Sequence, residues 1–427
     1  MSIAVALAHH EAGRLEEAEA AYRELLTDDP RQPGVLHNLG VIAATSGRTE
    51  EALALFDTAI EIEPTYASAH FNRAGSLNAL GRLDEATEGF RRTVELEPDH
   101  YAAHRALGFV WMARGRRDRA LDHFARTLEL RRGDDRTPIA SASLTRTTHG
   151  KIAHDADQFR YLAAQGRDRS RWEALAHGYD LVAAALPEQG VVPLTDEQLD
   201  LLGESYNTPF HLRAAPELPG STLGDAMVVN HLDGIVLIDN LLAPRALATL
   251  RRTLLDSTIW FDFTHISGFL ASYLEDGLAT PLLLQIADDI RAAFPERLGD
   301  QPLTQGWAFK GLRGDLPIDL HSDDAAVSVN FWITPDDANT DPTTGGLAIW
   351  RTELPAEWHI TDYRTDISRI YAWLDSNPSD RMIVPYRENR AVLFDSRMFH
   401  GSDAPKFAPG YENMRINITL LFGTHKS

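Results

Sequence analysis

The residues best equipped for chemistry lie in the last third of the chain. His321-Ser322-Asp323 sets an imidazole and a carboxylate two positions apart. In an extended strand alternate side chains share a face, so His321 and Asp323 can grip one ion while Ser322 turns away. His400, far downstream of His321, follows the run A-V-L-F-D and supplies a second imidazole. Two imidazoles and one carboxylate on one face of an octahedral ion leave three positions open for other ligands. Arg415-Ile416-Asn417 comes a short distance beyond His400 and opens a last apolar run. The planar fork of Arg415 matches a carboxylate bidentately, and Asn417 on the same strand face can add a hydrogen bond. Cysteine is absent, so His and carboxylates are the strong metal ligands available.

On its own His-x-Asp is a weak signal: a chain with 17 His should hold about one by chance. A second instance, His231-Leu232-Asp233, runs straight into Asp233-Gly234, which is a turn signal, and is expected to be structural. The pair His154-Asp155 on a helical stretch is likewise expected to be polar packing. The weight at His321 comes from the groups downstream of it and from their order. His-x-Asp, a long gap, His, then Arg-x-polar resembles the 2-oxoglutarate/Fe(II)-dependent oxygenase superfamily, in the branch with an Arg-x-Ser anchor; here Asn417 stands for the Ser. The segments N-F-W-I-T-P-D-D-A-N and N-R-A-V-L-F-D-S-R-M-F-H-G-S-D are similar to those of bacterial enzymes that join tetratricopeptide repeats to such a domain, and more loosely to prolyl-hydroxylase-like enzymes.

The resemblance implies Fe(II) on His321, Asp323 and His400, which would be the catalytic and metal-binding residues. It implies 2-oxoglutarate chelating the metal with its far carboxylate on Arg415, and dioxygen as the oxidant. Related halogenases lack the carboxylate ligand, so the presence of Asp323 points to hydroxylation. Zinc or manganese on the same ligands is the non-redox alternative. Asn330, on the strand face opposite Val329 and Phe331, is the best further candidate for a polar co-substrate contact. Trp307, Lys310 and Trp332 flank His321, and Tyr386 and Arg390 precede the strand that leads to His400.

Elements able to hold these groups can be read around them. Short strands are expected at Gly234 to Asp239, Trp307 to Lys310, Ala326 to Ile333, Gly346 to Trp350, Ala391 to Phe394 and Arg415 to Phe422. Amphipathic helices are expected over Pro244 to Leu255 and Ala279 to Phe294. Together they suggest a double-stranded β-helix, or jelly roll, over residues 221–427. The polar stretch Asp336 to Arg381, with its Thr343-Thr344-Gly345-Gly346 turn, is either a lid or an insertion. Before it, residues 135–220 read as a helical connector, with helices at Lys151 to Gln165 and Trp172 to Leu186, and then an extended linker broken by Pro187, Pro193, Pro209, Pro216 and Pro219.

The front of the chain repeats at one fixed step. G-R-L-E-E-A, G-R-T-E-E-A, G-R-L-D-E-A and G-R-R-D-R-A start at Gly13, Gly47, Gly81 and Gly115. In the same register stand Ala18, Ala52, Ala86 and Ala120, then Tyr22, Phe56, Phe90 and Phe124; Pro30, Pro64 and Pro98 close three units and Arg132 replaces the fourth. Gly ends a first helix in a left-handed turn, the small Ala lets the second helix approach, the aromatic fills the gap, and Pro stops the second helix. A helix pair recurring at a period of about 34 residues resembles the tetratricopeptide repeat family, here over residues 1–134. The resemblance implies an α-solenoid whose concave surface takes a peptide or protein segment. The fold class is therefore multidomain α + β.

Composition narrows the partners. With 62 acidic against 41 basic side chains and a formal charge of −21, the surface disfavours nucleic acid and anionic membrane. No basic leader precedes the short apolar run at the N-terminus, and a cytoplasmic protein is expected. The expected activity is hydroxylation of a peptide or protein side chain presented by the repeats. Two alternatives stand beside it: the same chemistry on a small metabolite, and an inactive interaction scaffold. Assembly into a homodimer is left open.

Overall fold

A computed structural model describes residues 2–133, 145–166, 168–264, 268–312, 320–353, 358, 367–377, 381–402 and 404–424. The chain divides into two compact units, Met1–Trp111 and Met112–Ser427.

The first unit is built from helix pairs: α1 (Ile3–Glu11) with α2 (Leu15–Asp28), α3 (Pro33–Thr45) with α4 (Thr49–Ile62), and α5 (Ala67–Ala79) with α6 (Leu83–Leu96), followed by α7 (Tyr101–Ala113). Gly13, Gly47, Gly81 and Gly115 have φ of +70°, +76°, +73° and +69°. Each takes the left-handed conformation that ends the first helix of a pair and that a Cβ would strain. Ala18, Ala52 and Ala86 are buried, as are Tyr22, Phe56 and Phe90. Apolar burial at these repeated positions stabilises the pairs, since isolated helices of 13 or 14 residues are marginal in water.

The second unit begins with α8 (Arg117–Arg132), which carries Ala120 and Phe124, both buried. Arg131 and Arg132 pair with buried Asp276 at 2.9 and 3.7 Å, so the end of this helix is tied to residues far along the chain. Next come β1 (Arg146–Thr147), α9 (His149–Ala164), α10 (Arg169–Ala185), β2 (Val192–Pro193) and α11 (Asp196–Leu202). α9 and α10 share an aromatic core of Phe159, Trp172 and Tyr179. Helix α11, for which the sequence pattern suggested no helix, starts at a capping box formed by Thr195 and Gln198. The expected linker after residue 187 is extended in part but does not hang free. His211 accepts from the Thr258 N–H at 2.8 Å, Arg213 N–H donates to Ser257 Oγ at 2.9 Å, and Ala215 accepts from the Leu282 N–H at 3.1 Å. Backbone groups without a strand partner found one in the next element instead.

Two antiparallel sheets follow. Their strands are β3 (Val228–Leu232), β4 (Ile235–Asp239), β5 (Phe269–Tyr273), β6 (Leu303–Gly311), β7 (Val327–Trp332), β8 (Leu347–Glu353), β9 (Arg381–Val384), β10 (Ala391–Asp395), β11 (Met398–Gly401) and β12 (Ile416–Phe422). The larger sheet has the order β3-β4-β10-β7-β12-β6-β5 and the smaller β11-β8-β9. Ile235, Trp332, Val392 and Phe394 of the larger sheet and Leu347, Ile349, Val384 and Met398 of the smaller share one core. The sheets pack on each other and do not close into a barrel. Helices α12 (Pro244–Asp256), α13 (Pro281–Ala293), α14 (Pro295–Leu298) and α15 (Ile367–Ser376) complete the unit. Among the described residues no helix is long and apolar enough to cross a membrane.

Every strand expected from the sequence is present. β1, β2, β3, β5, β9 and β11 are additional. The stretch 336–381 supplies β8 to the smaller sheet and runs on to β9, so at least part of it belongs to the sheets; most of 354–366 lies outside the described residues. Asp233 and Gly234 have φ of +42° and +87° between paired Leu232 and Ile235, a two-residue hairpin turn of the kind Asp-Gly favours. His231-Leu232-Asp233 is therefore structural.

Candidate metal centre

Three ligand groups meet although the sequence separates them widely. His321 and His400 form a backbone bridge, each N–H donating to the other's carbonyl, at 2.9 and 2.8 Å. Asp323 N–H donates to Ser396 O at 2.9 Å. This short antiparallel contact places His321 against β11, whose third residue is His400, and Asp323 against the turn that precedes it. His321 Nε2 lies 3.8 Å from Asp323 Oδ1, and His400 Nε2 lies 3.4 Å from Asp323 Oδ2. One ligand atom from each of the three residues falls within 4.8 Å of the others. Neighbouring donors on an octahedral ion with bonds of roughly 2.1 Å stand about 3 Å apart, so a modest inward turn of the three side chains completes a facial set.

The chemistry of the donors fits such an ion. His400 Nδ1 lies 3.0 Å from Met398 O; a carbonyl only accepts, so Nδ1 carries the proton and Nε2 offers its lone pair towards Asp323. Burial, reinforced by the neighbouring His321, depresses His400 to about 4, even though Asp323 pulls the other way. It is therefore neutral, as a ligand must be. Asp323 and His400 are buried while the His321 side chain remains 37% exposed, so the centre is reached from one side.

Beside these ligands runs a cavity lined by Trp307, Phe309, Asn330, Arg415, Asn417 and Thr419. The register explains the grouping: Thr419 pairs with Asn330 and Asn417 with Trp332, so alternate residues of adjacent strands face one way. Arg415 is buried, and burial lowers it only to about 10, so it stays cationic. Its Nε donates to Gly345 O at 2.7 Å, which gives the Thr343-Thr344-Gly345-Gly346 turn a positioning role. No carboxylate among the described residues pairs with Arg415. Asn330 Oδ1 accepts from Thr419 at 2.5 Å and from Asn417 at 3.3 Å. Its Nδ2 is buried without a partner among the described residues.

The remaining candidates separate. Trp307 lines the cavity. Trp332 and Tyr386 belong to the core between the sheets, with the Arg415 guanidinium 5.9 Å from the Trp332 ring centre. Arg390 is committed to Asp239, with hydrogen bonds of 2.6 and 3.0 Å, and does not reach the centre. Lys310 points to the other face of the sheet, 3.3 Å from the Tyr411 ring centre; an odd offset from Trp307 and Phe309 on β6 puts it there. His154-Asp155 is buried, with Asp155 bonded to both His154 and Lys151. The sequence pattern did not single out Ser328 and Ser396, whose hydroxyls reach Asp323, the second by way of the first. The available signal was a lone Ser in the otherwise apolar run V-S-V.

The tetratricopeptide repeat model matches residues 3–67, 37–89 and 71–135, so the front of the chain is a tetratricopeptide-repeat array. Among solved structures, one of MamA is 28% identical over 30% of this chain and 73% of that chain, with a TM-score of 0.27. Another of MamA is 19% identical over 43% and 98%, TM-score 0.29. The first TPR of Spaghetti (RPAP3) bound to the HSP90 peptide SRMEEVD is 24% identical over 26% and 87%, TM-score 0.25. No curated protein matches the chain.

Proposed function

We propose that the second unit is a non-haem Fe(II)/2-oxoglutarate-dependent dioxygenase on a jelly roll, and that it hydroxylates a peptide or protein side chain presented by the repeats. The observation that carries this reading is the pairing of a two-His, one-carboxylate set with a buried guanidinium that has no carboxylate partner among the described residues. A buried Arg cannot shed its charge and calls for an anion. His321, Asp323 and His400 would hold the metal; Arg415, with the free Asn330 Nδ2 and Asn417, would hold the far carboxylate of the co-substrate. When bound, iron, 2-oxoglutarate and dioxygen supply the oxidising chemistry. The chain's own part is orientation. The His321–His400 backbone bridge fixes the angle between the imidazoles, Met398 O fixes the His400 tautomer, and Gly345 O fixes the reach of Arg415. The walls Trp307 and Phe309 keep water from the reacting groups.

The repeats supply a surface suited to an extended peptide, which favours a macromolecular substrate over a free metabolite. A cytoplasmic site of action fits this reading. The test is mass spectrometry of a peptide pool incubated with the full chain, Fe(II), 2-oxoglutarate and oxygen. Gain of one oxygen on a peptide, with matching succinate, is the expected result. Turnover of free small molecules alone would move the substrate assignment to metabolites, and no succinate under any condition would leave the scaffold reading.

A further inference from the structure

Asp323 is held by two hydroxyls in series. Ser328 on β7 donates to Asp323 Oδ2 at 2.6 Å. A hydroxyl has one proton, so Ser396, whose Oγ is 2.8 Å from that of Ser328, must donate its own to Ser328. Ser396 also accepts the Asp323 N–H on its carbonyl at 2.9 Å. It lies between β10 and β11, shortly before His400. One residue therefore grips the carboxylate ligand twice, once through backbone and once through the relay. Both hydroxyls belong to residues with 0% exposure, at positions where an aliphatic side chain would pack without a polar group to satisfy.

We infer that Ser328 and Ser396 are positioning residues for the metal ligand Asp323. The relay fixes the plane of the carboxylate and takes up one lone pair of Oδ2, which favours binding of the ion through a single oxygen and leaves a coordination position for exogenous ligands. Hydroxyls in series polarise one another, which strengthens the grip on the carboxylate. The inference rests on the metal-centre reading above.

Co(II) titration of the full chain, followed by its visible absorption, tests it with a readout independent of turnover. The wild type is expected to bind one ion. Ser328→Ala should bind about 10- to 100-fold more weakly, with a changed Co(II) spectrum because the carboxylate is free to turn. Ser396→Ala should move both readouts the same way by less. The double variant should match Ser328→Ala, since the two groups act in series. Ser328→Thr keeps the hydroxyl and should restore the spectrum. Thermal unfolding without metal reports whether each variant folds; if Ser328→Ala does not, Ser396→Ala decides. Wild-type affinity and spectrum in the alanine variants, or independent additive losses, would overturn the relay alone. Failure of the wild type to bind Co(II) would overturn the metal centre and the relay with it.

Discussion

Strand β6 turns Trp307 and Phe309 towards His321, Asp323, His400 and Arg415, and turns Lys310 the other way, towards Tyr411 and Trp260. Both sides hold buried histidine, aspartate and a cation. Behind the sheet, Asp155 is taken up by Lys151 and His154. Lys310 has no hydrogen-bond partner among the described residues, and burial pushes it well below its ordinary value; for a lysine, desolvation favours the uncharged amine. In front of the sheet Arg415 has no such exit. Held only to about 10, it remains a cation beside a cavity. The residue types alone therefore do not mark a site. What marks it is charge and lone pairs left unspent, next to space that a ligand can enter.

Breaking this contrast should show effects of decreasing size. His321→Ala removes a ligand from the front cluster, and Fe(II)-dependent succinate release should fall on the order of a thousandfold or more. Far-ultraviolet circular dichroism should still report the helices of the repeat array. Arg415→Met removes the unspent cation; the 2-oxoglutarate concentration giving half-maximal rate should rise about 10- to 100-fold, as for a lost charged hydrogen bond. Arg415→Lys keeps charge without the fork and should fall between.

The rear cluster should respond in stability and not in turnover. As pH falls below about 6.5 the unfolded chain protonates His154, while in the fold burial, then the nearby Lys310, hold it near 3. Its folded value is depressed, so its contribution is present above about 6.5 and is lost as pH falls towards 3, at roughly 1.4 kcal/mol per pH unit at most. His154→Gln should flatten the fall of the urea midpoint between pH 6.5 and 5. Lys310→Met, the smallest effect, should leave succinate release unchanged and hold or raise the unfolding free energy in urea by about 1 kcal/mol, because an unpartnered amine leaves the core. A loss of turnover in either rear variant would erase the distinction between the clusters.

Legibility in the sequence obeys the same physics. The repeat showed plainly because each turn Gly and each packing Ala or aromatic is chosen for a local reason and recurs at a constant step from Gly13 to Gly115. β7 and β12 are buried along their whole length and read as runs of β-branched and aromatic residues broken by single polar positions, Ser328, Asn330, Asn417 and Thr419. Six strands escaped notice: β1, β2, β3, β5, β9 and β11. β3 is exposed on every residue, β9 on half of its residues, and β11 has four residues set close behind β10; their pairing is decided by partner strands, not by their own pattern. At the centre, His321, Asp323, His400, Arg415, Asn417 and Asn330 could be nominated because their types carry chemistry. Ser328 and Ser396 could not, since a buried hydroxyl acquires meaning only from the group it faces. Lys310 was misplaced for want of one piece of register: position parity on β6 decides which face it serves.

The central claim is that one ion and one dicarboxylate share the front cavity. Diffraction from crystals of the full chain grown anaerobically with Mn(II) and 2-oxoglutarate tests it most directly, through the anomalous signal of the metal. The account predicts a single peak bonded by His321 Nε2, Asp323 and His400 Nε2, with a carboxylate resting on Arg415. A peak elsewhere, or an Arg415 that faces no anion while the metal is bound, would contradict it.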